Sequence, residues 1–351
     1  MTITRLKKHP IAGVMAVVMT IALTCSGAAI AAKRPAAATF YRLVQYPAAG
    51  FSGFYGQINA ARHSIDMEIY ELSDPMAERD LARAVSRGVM VRVLLDKAYS
   101  GGEVNHSAFS FLRSHGVQVR WAPAHYIFHI KATTFDRRVT DISTANLTAA
   151  YYATTRDAEV IDSNPVQVRA IERTFANDWA AGSRGTPRTQ TVQAPGLVWS
   201  PNTAAGSAED ALVAQIQHAR TALEFESEEL SDTRVYTALA AAARRGVSCR
   251  IVMTASGQWT KAFTAVTRAG CRVHVFADNA STLYIHEKFI LDDPGSASQS
   301  LLIGSQNASW TSLHEDRELG LVISDPHGGA AVISGVNSAF QSDFAGAKAW
   351  H

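Results

Sequence analysis

Two short stretches of the chain repeat a set of side chains suited to chemistry at phosphorus. His129-Ile130-Lys131 is followed after four residues by Asp136, and His286-Glu287-Lys288 after four residues by Asp293. Residues two apart on a strand share a face, so the His and Lys of each triplet are expected to point into one site. A neutral imidazole can attack phosphorus or move a proton near pH 7, and a lysine can hold a phosphoryl oxygen. Asp136 and Asp293 are candidates for catalysis, although a structural role, such as a salt bridge supporting the motif, is the favoured reading. Downstream lie Ser143-Thr144-Ala145-Asn146 and Gly304-Ser305-Gln306-Asn307. Thr144, Asn146, Ser305 and Asn307 offer neutral donors to phosphoryl oxygens. Eleven residues beyond each asparagine stands a carboxylate behind an arginine, in Arg156-Asp157 and Arg317-Glu318. Such a carboxylate can accept the Nδ1 proton of an imidazole and turn Nε2 toward phosphorus. Asp157 is expected to orient His129, and Glu318 to orient His286.

These residues must be positioned by a frame that itself repeats. Glu71-Leu72-Ser73-Asp74 returns intact as Glu229-Leu230-Ser231-Asp232, and Arg87-Gly88-Val89 returns as Arg245-Gly246-Val247. Leu43-Val44-Gln45-Tyr46-Pro47 returns as Leu197-Val198-Trp199-Ser200-Pro201. The offset stays near a half-chain throughout, the mark of an internal duplication. The first half reads as strand 64–70, helix 75–87, strand 89–95, helix 108–115 and strand 117–121. Met76, Leu81, Ala84 and Val85 give the helical spacing, and Gly88 the stop. Alternating strands and helices imply an α/β fold with a mainly parallel sheet flanked by helices in each half. The halves are placed at 40–181 and 197–351, joined by a Gly, Ser, Thr and Pro-rich linker at 182–196.

The duplicated H-x-K-x4-D, each copy trailed by an S/T-x-N element, resembles the phospholipase D superfamily over roughly residues 40–351. The first half departs from its usual Gly-Ser by carrying Ser143-Thr144. The resemblance implies two α/β sandwich halves about a pseudo-twofold axis that share one active site. It implies a phosphohistidine on one histidine and protonation of the leaving alcohol by the other, without a metal or other cofactor. His129 is assigned as nucleophile and His286 as general acid, mostly on this resemblance. With both half-sites in one chain, activity is expected of the monomer, with no obligate protein partner.

Composition narrows the substrate. The 351 residues are 47% hydrophobic and 18% charged, which excludes disordered, collagen-like and polytopic membrane proteins. Arg5, Lys7 and Lys8, the apolar run from Ile11 to Cys25 and Ala29-Ile30-Ala31 read as a signal peptide over residues 1–31, so the protein is expected to be secreted. Its removal takes away three of 33 basic residues and none of 31 acidic ones, leaving a net charge of −1. A protein gripping long polyanions usually carries a basic excess. Phospholipid at a membrane or micelle surface is therefore preferred as substrate over nucleic acid, and a binding module with a vestigial site is the third class. Interfacial loops are expected at 50–55 (Phe51, Phe54, Tyr55) and 258–263 (Trp259). Tyr126, Phe128 and Tyr284 could form an apolar lip or pack in the core. His125 and His129 are four apart, but they lie in a strand-like segment that argues against a metal pair on a helix. Glu224, Glu226 and Glu228 alternate where Asp66, Glu68 and Tyr70 stand in the first half. A solvated strand face is expected there, with Glu68 and Glu226 on the cleft floor as the alternative. Cys249 and Cys271 could form a disulfide or stay as buried thiols.

Overall fold

A computed structural model describes residues 39–351, except Ala124, Tyr126 and residues 185–189, 202–205 and 325–327. The proposed signal peptide at 1–31 and Tyr126 thus lie outside the described residues. In chain order the first half comprises β1 (Tyr41–Tyr46), α1 (Ser52–Ala60), β2 (Ser64–Ile69), α2 (Pro75–Ser86), β3 (Met90–Leu95), α3 (His106–Ser114), β4 (Gln118–Trp121), β5 (Lys131–Phe135), β6 (Val139–Ser143), β7 (Thr155–Asp162) and α4 (Pro165–Arg184). The second comprises β8 (Leu197–Ser200), α5 (Ala208–His218), β9 (Ala222–Glu226), α6 (Thr233–Arg244), β10 (Ser248–Thr254), α7 (Thr260–Ala269), β11 (Arg272–Phe276), β12 (Tyr284–Ile285), β13 (Phe289–Asp292), β14 (Ser300–Gly304), α8 (Trp310–His314), β15 (Glu318–Ser324), α9 (Ala330–Gly346) and β16 (Lys348–Ala349).

The repeated sequence segments do repeated work. Asp74 and Asp232, which end the Glu-Leu-Ser-Asp copies, are the N-caps of α2 and α6, accepting from Met76 and Ala77 N–H and from Val235 N–H. Each cap contributes about 1 kcal/mol. One residue earlier, Ser73 and Ser231 N–H donate to the carbonyls of Leu147 and Ala308, which pins the asparagine loops to the helix entry. Gly88 and Gly246 take φ of 87° and 91°, a left-handed turn that ends each helix in a backbone conformation that residues with a Cβ rarely adopt.

Both sheets are mixed, and this corrects the expectation of mainly parallel pairing. The first runs β1-β7-β6-β5-β2-β3-β4 and the second β16-β11-β10-β9-β13-β14-β15-β8. Among the named strands, parallel pairing is confined to β2-β3-β4, β9-β10-β11 and the two-residue contact of β12 on β7. The strands that follow each H-x-K are antiparallel to their neighbours. Three residues, 136–138, separate β5 from β6, with Asp136 and Arg137 at φ of 52° and 56°. A loop that short closes a hairpin and leaves no room for a crossover helix. The 182–196 segment is likewise not all linker, since α4 continues to Arg184.

Helices α1–α3 cover one face of the first sheet and α5–α7 one face of the second, each over its own apolar cluster. A third cluster lies between the halves and draws Phe128 and Phe175 from one, Trp199, Phe289 and Phe340 from the other. Cys249 and Cys271 form a disulfide, which settles the two alternatives left open by the sequence.

Asp66, Glu68, Glu224 and Glu226 are all buried, so neither a solvated face nor a cleft floor describes them. Helix α4 packs on β2, and α9 on β9 and β10, covering the inner faces from which these carboxylates project. Arg92 and Arg250 pair with Asp66 and Glu224. Arg317, at the start of the second half's carboxylate strand, donates from Nε and Nη2 to Asp178 of α4 at 2.9 and 2.8 Å. Arg156 does the reverse, binding both oxygens of Asp343 in α9 at 2.6 and 2.7 Å. Two guanidinium bridges therefore cross between the halves in opposite directions. Burial and the nearby Asp178 hold Glu68 well above the ordinary carboxyl pKa despite Arg317. Replacing Arg317 by Leu should cost about 3–5 kcal/mol of stability, since it strips Asp178 of a buried cation. Urea unfolding followed by circular dichroism measures it.

Candidate active site

The two triplets converge on a single cleft of about 1250 Å³, lined by both halves and including His129, His286, Asn146 and Asn307. The triplets are not continuous strands. His129 precedes β5, and His286 falls between β12 and β13, so each histidine stands at a break while its lysine enters or adjoins the sheet. The docking is across the halves. Tyr284 and Ile285 of β12 pair with Thr155 and Arg156 of the first-half strand β7. His286 and Glu287 N–H both donate to the Arg156 carbonyl, at 3.1 and 2.8 Å. Reciprocally, Arg317 N–H donates to the carbonyl of Ile127 at 2.8 Å.

This exchange reverses the expected pairing of histidines and carboxylates. Nδ1 of His129 lies 3.0 Å from both oxygens of Glu318, and Nδ1 of His286 lies 2.8 Å from Asp157. Asp157 does not orient His129, nor Glu318 His286. Each histidine segment lies beside the other half's carboxylate strand, so the carboxylate within reach belongs to that half. Each contact still occupies Nδ1 and leaves Nε2 for the cleft.

The carboxylates are themselves held. Thr144 Oγ1 donates to Asp157 at 2.6 Å and accepts from Ala158 N–H at 2.9 Å. Ser305 Oγ accepts from Leu319 N–H at 3.1 Å and bonds the Leu319 carbonyl at 3.4 Å. Both hydroxyls are thus committed to the carboxylate strands, a correction to their expected place as phosphate donors. Ser312, which sequence reasoning missed, donates to Glu318 at 2.6 Å and accepts from Asn307 N–H at 2.8 Å. The repeat could not have found it, because Tyr151 stands at the matching place.

Lys131 and Lys288 are buried, each with Nζ donating to the carbonyl of its own histidine, at 2.7 and 2.5 Å. Burial lowers Lys131 to about 7, and the charge of Lys288 adds to the effect against Glu318. Burial also lowers His129 well below the ordinary imidazole value, reinforced by both lysines, so this ring is neutral. Glu318 is pushed up to about 7 by burial, with Lys131 opposing. Glu228, read as part of a solvated face, instead lines the cleft beside Lys288.

Asp136 and Asp293 stand away from the cleft chemistry, and among the described residues neither forms a salt bridge. Asp136 accepts from the N–H groups of Arg62, His63 and Ser64, and Asp293 from those of Arg220, Thr221 and Ala222. They clamp the start of β2 and β9, and these donors outweigh partial burial to hold both carboxyls below the ordinary value. The expected interfacial loop at 50–55 differs, since Phe51 and Phe54 are buried, Phe51 being stacked between Tyr46 and Tyr152, whereas Gln258 and Trp259 of the second loop line the cleft. Exposed aromatics occur instead at the cleft in Tyr99, Tyr151 and Tyr284. Phe128 packs in the core.

Two outcomes follow from this geometry. Asp136→Asn should lower stability by on the order of 1–2 kcal/mol while leaving kcat of the folded protein within about threefold; thermal melts and initial rates on one preparation check both. Protonated Lys131 is the form able to hold a phosphate, so kcat/KM for a soluble phosphodiester should fall as pH rises through about 7, and Lys131→Arg should move that limb upward.

The comparisons with known proteins come to the same fold. A family model described as "Cardiolipin synthase, PLD-like domain" matches residues 55–179 and 212–344. The mitochondrial cardiolipin hydrolase of Homo sapiens is 31% identical over 120 residues, covering 34% of this chain and 47% of that protein. A phospholipase D of Rickettsia felis is 31% identical over 134 residues, covering 38% and 64%. The chain thus spans less than two thirds of either relative. A phosphatidylserine synthase of Haemophilus influenzae shares the fold at a TM-score of 0.66 and 12% identity, covering 88% of this chain and 87% of that one. With both of its halves matched by one family model, the chain belongs to the phospholipase D-like (cardiolipin synthase) family.

Proposed function

We propose that the protein is a phospholipase D, exported through residues 1–31 and acting as a monomer at a membrane or micelle surface. It would hydrolyse the distal phosphodiester of a glycerophospholipid to phosphatidate and a head-group alcohol. The observation that carries this reading is the convergence of His129 and His286 on one cleft, each with Nδ1 engaged by a carboxylate.

In the first step the neutral Nε2 of His129 attacks phosphorus, and the bond from phosphorus to the head-group oxygen breaks. His286 gives that oxygen a proton, becoming neutral. It then takes a proton from water, whose oxygen attacks phosphorus while the bond to His129 breaks. Lys131, Lys288, Asn146 and Asn307 carry the charge on the non-bridging oxygens. A lipid is favoured over nucleic acid because, apart from the two buried triplet lysines at its base, no lysine or arginine lines the cleft among the described residues, whereas Glu71, Glu228, Glu229 and Asp278 do. The names of the cardiolipin hydrolase and phospholipase D relatives point the same way.

The test is incubation of the purified protein with phosphatidylcholine vesicles and, separately, with plasmid DNA, each with and without EDTA. Phosphatidate and choline should form at a rate unchanged by EDTA within about twofold, and His129→Ala or His286→Ala should each lower kcat by about three orders of magnitude or more. Cleavage of DNA with the lipid untouched would overturn the reading. With His286→Ala and a phosphodiester bearing a 4-nitrophenyl leaving group, a denaturing alkaline quench and mass spectrometry should find the phosphoryl group, still carrying its remaining ester, on the His129 peptide. An adduct on His286 in the His129→Ala protein would reverse the two roles.

A further inference from the structure

The two half-sites differ most at one matched position. Tyr70 follows β2 in the first half, and Glu228 stands in its place in the second. The Tyr70 ring meets His129 edge-on at 4.7 Å and lies 5.0 Å from Lys131 Nζ. It brings no charge to the first half-site. Glu228 Oε2, by contrast, lies 3.1 Å from Lys288 Nζ, 3.4 Å from His286 Nε2 and 3.2 Å from Asn307 Nδ2. Lys288 and Asn307 are the groups that would hold a phosphoryl oxygen in this half, and His286 the one that would protonate the leaving oxygen. Its other oxygen accepts from Tyr284 OH at 2.9 Å, so the carboxylate is anchored to the cleft wall.

We propose that Glu228 is a specificity-determining residue, a resident anion in the second phosphate half-site that selects singly charged phosphodiesters over doubly charged phosphomonoesters. The inference rests on the diesterase reading above. An entering phosphate must take over the contacts of Oε2, and the displaced carboxylate stays tethered a few ångströms away by Tyr284. A diester brings one negative charge against it. A monoester near neutral pH brings close to two, and the extra charge is repelled at short range with little water between. Lys288 and His286 hold Glu228 ionised against the effect of burial, so the repulsion is present at working pH. Because hydrolysis converts a diester into a monoester, the same charge would drive the product out of the site.

The test compares the full-length protein with Glu228→Gln, which keeps the shape and removes the charge. Hydrolysis of bis(4-nitrophenyl) phosphate is followed in the presence of inorganic phosphate or phenyl phosphate. The inhibition constants of both should fall at least about tenfold in Glu228→Gln while KM for the diester moves less than about threefold. Inhibition constants unchanged within about twofold, or a KM that falls in parallel with them, would overturn the proposal. Glu228→Tyr, which installs the first half's own residue, should act in the same direction and replaces Glu228→Gln if that variant fails to fold. Calorimetric titration with phenyl phosphate reads the same preference without turnover. It therefore stands apart from the lipid assay: failure to cleave phosphatidylcholine defeats the phospholipase reading and leaves the charge selection to be decided by the titration.

Discussion

The site depends on one reciprocal exchange, in which each half supplies the carboxylate that holds the other half's histidine. Glu318 to His129 and Asp157 to His286 are hydrogen bonds across the pseudo-twofold, and neither half contains a complete dyad. The arginines that precede these carboxylates cross in the same way, Arg156 to Asp343 and Arg317 to Asp178. The strands β7 and β15 therefore carry both the carboxylates that hold the histidines and the ion pairs that lock the halves together. A shift of one half relative to the other would strand two buried carboxylates and two buried guanidiniums at once, which is why the dyad geometry is stiff.

The inner faces of the sheets hold more acid than base, and this shapes the interior. Glu68 and Glu226 are buried, Glu68 against Asp178 and Glu226 near Glu287 and Asp343, and each shares one arginine with an aspartate. One guanidinium cannot neutralise two carboxylates in a low-dielectric layer, so both glutamates are held well above the ordinary carboxyl value. The arrangement supports the strands from below while leaving the lysines of the two triplets as the positive charges nearest the histidines.

Duplication did not leave the two half-sites equal. The first-half histidine meets a tyrosine ring and both oxygens of Glu318, which a serine of α8 holds; the second meets Asp157, held by a threonine, and the carboxylate of Glu228. A neutral aromatic wall on one side and an anion on the other give the two imidazoles different surroundings, which is the condition for one to attack and the other to move a proton.

Much of this was legible in the sequence, and the limit of what was legible has a definite cause. The paired H-x-K-x4-D motifs, the asparagines, the carboxylates eleven residues beyond them, and the helix 75–87 with its stop at Gly88 all rest on local spacing, which a chain displays without folding. The Asp caps at 74 and 232 lie inside the repeated segment that reveals the duplication. Which carboxylate meets which histidine is different in kind. A translational repeat makes Asp157 and Glu318 equivalent relative to their own motifs, so sequence spacing favours the pairing within a half. Only the docking of β12 on β7, and of Arg317 on the segment before His129, reverses it. In the same way an alternating run of acids reads as a wet strand until a helix, α4 or α9, is seen to cover that face. Contacts set by periodicity were determined by the sequence alone; contacts set by which surface is buried against which were decided by the tertiary structure, because burial is a property of two elements and periodicity of only one.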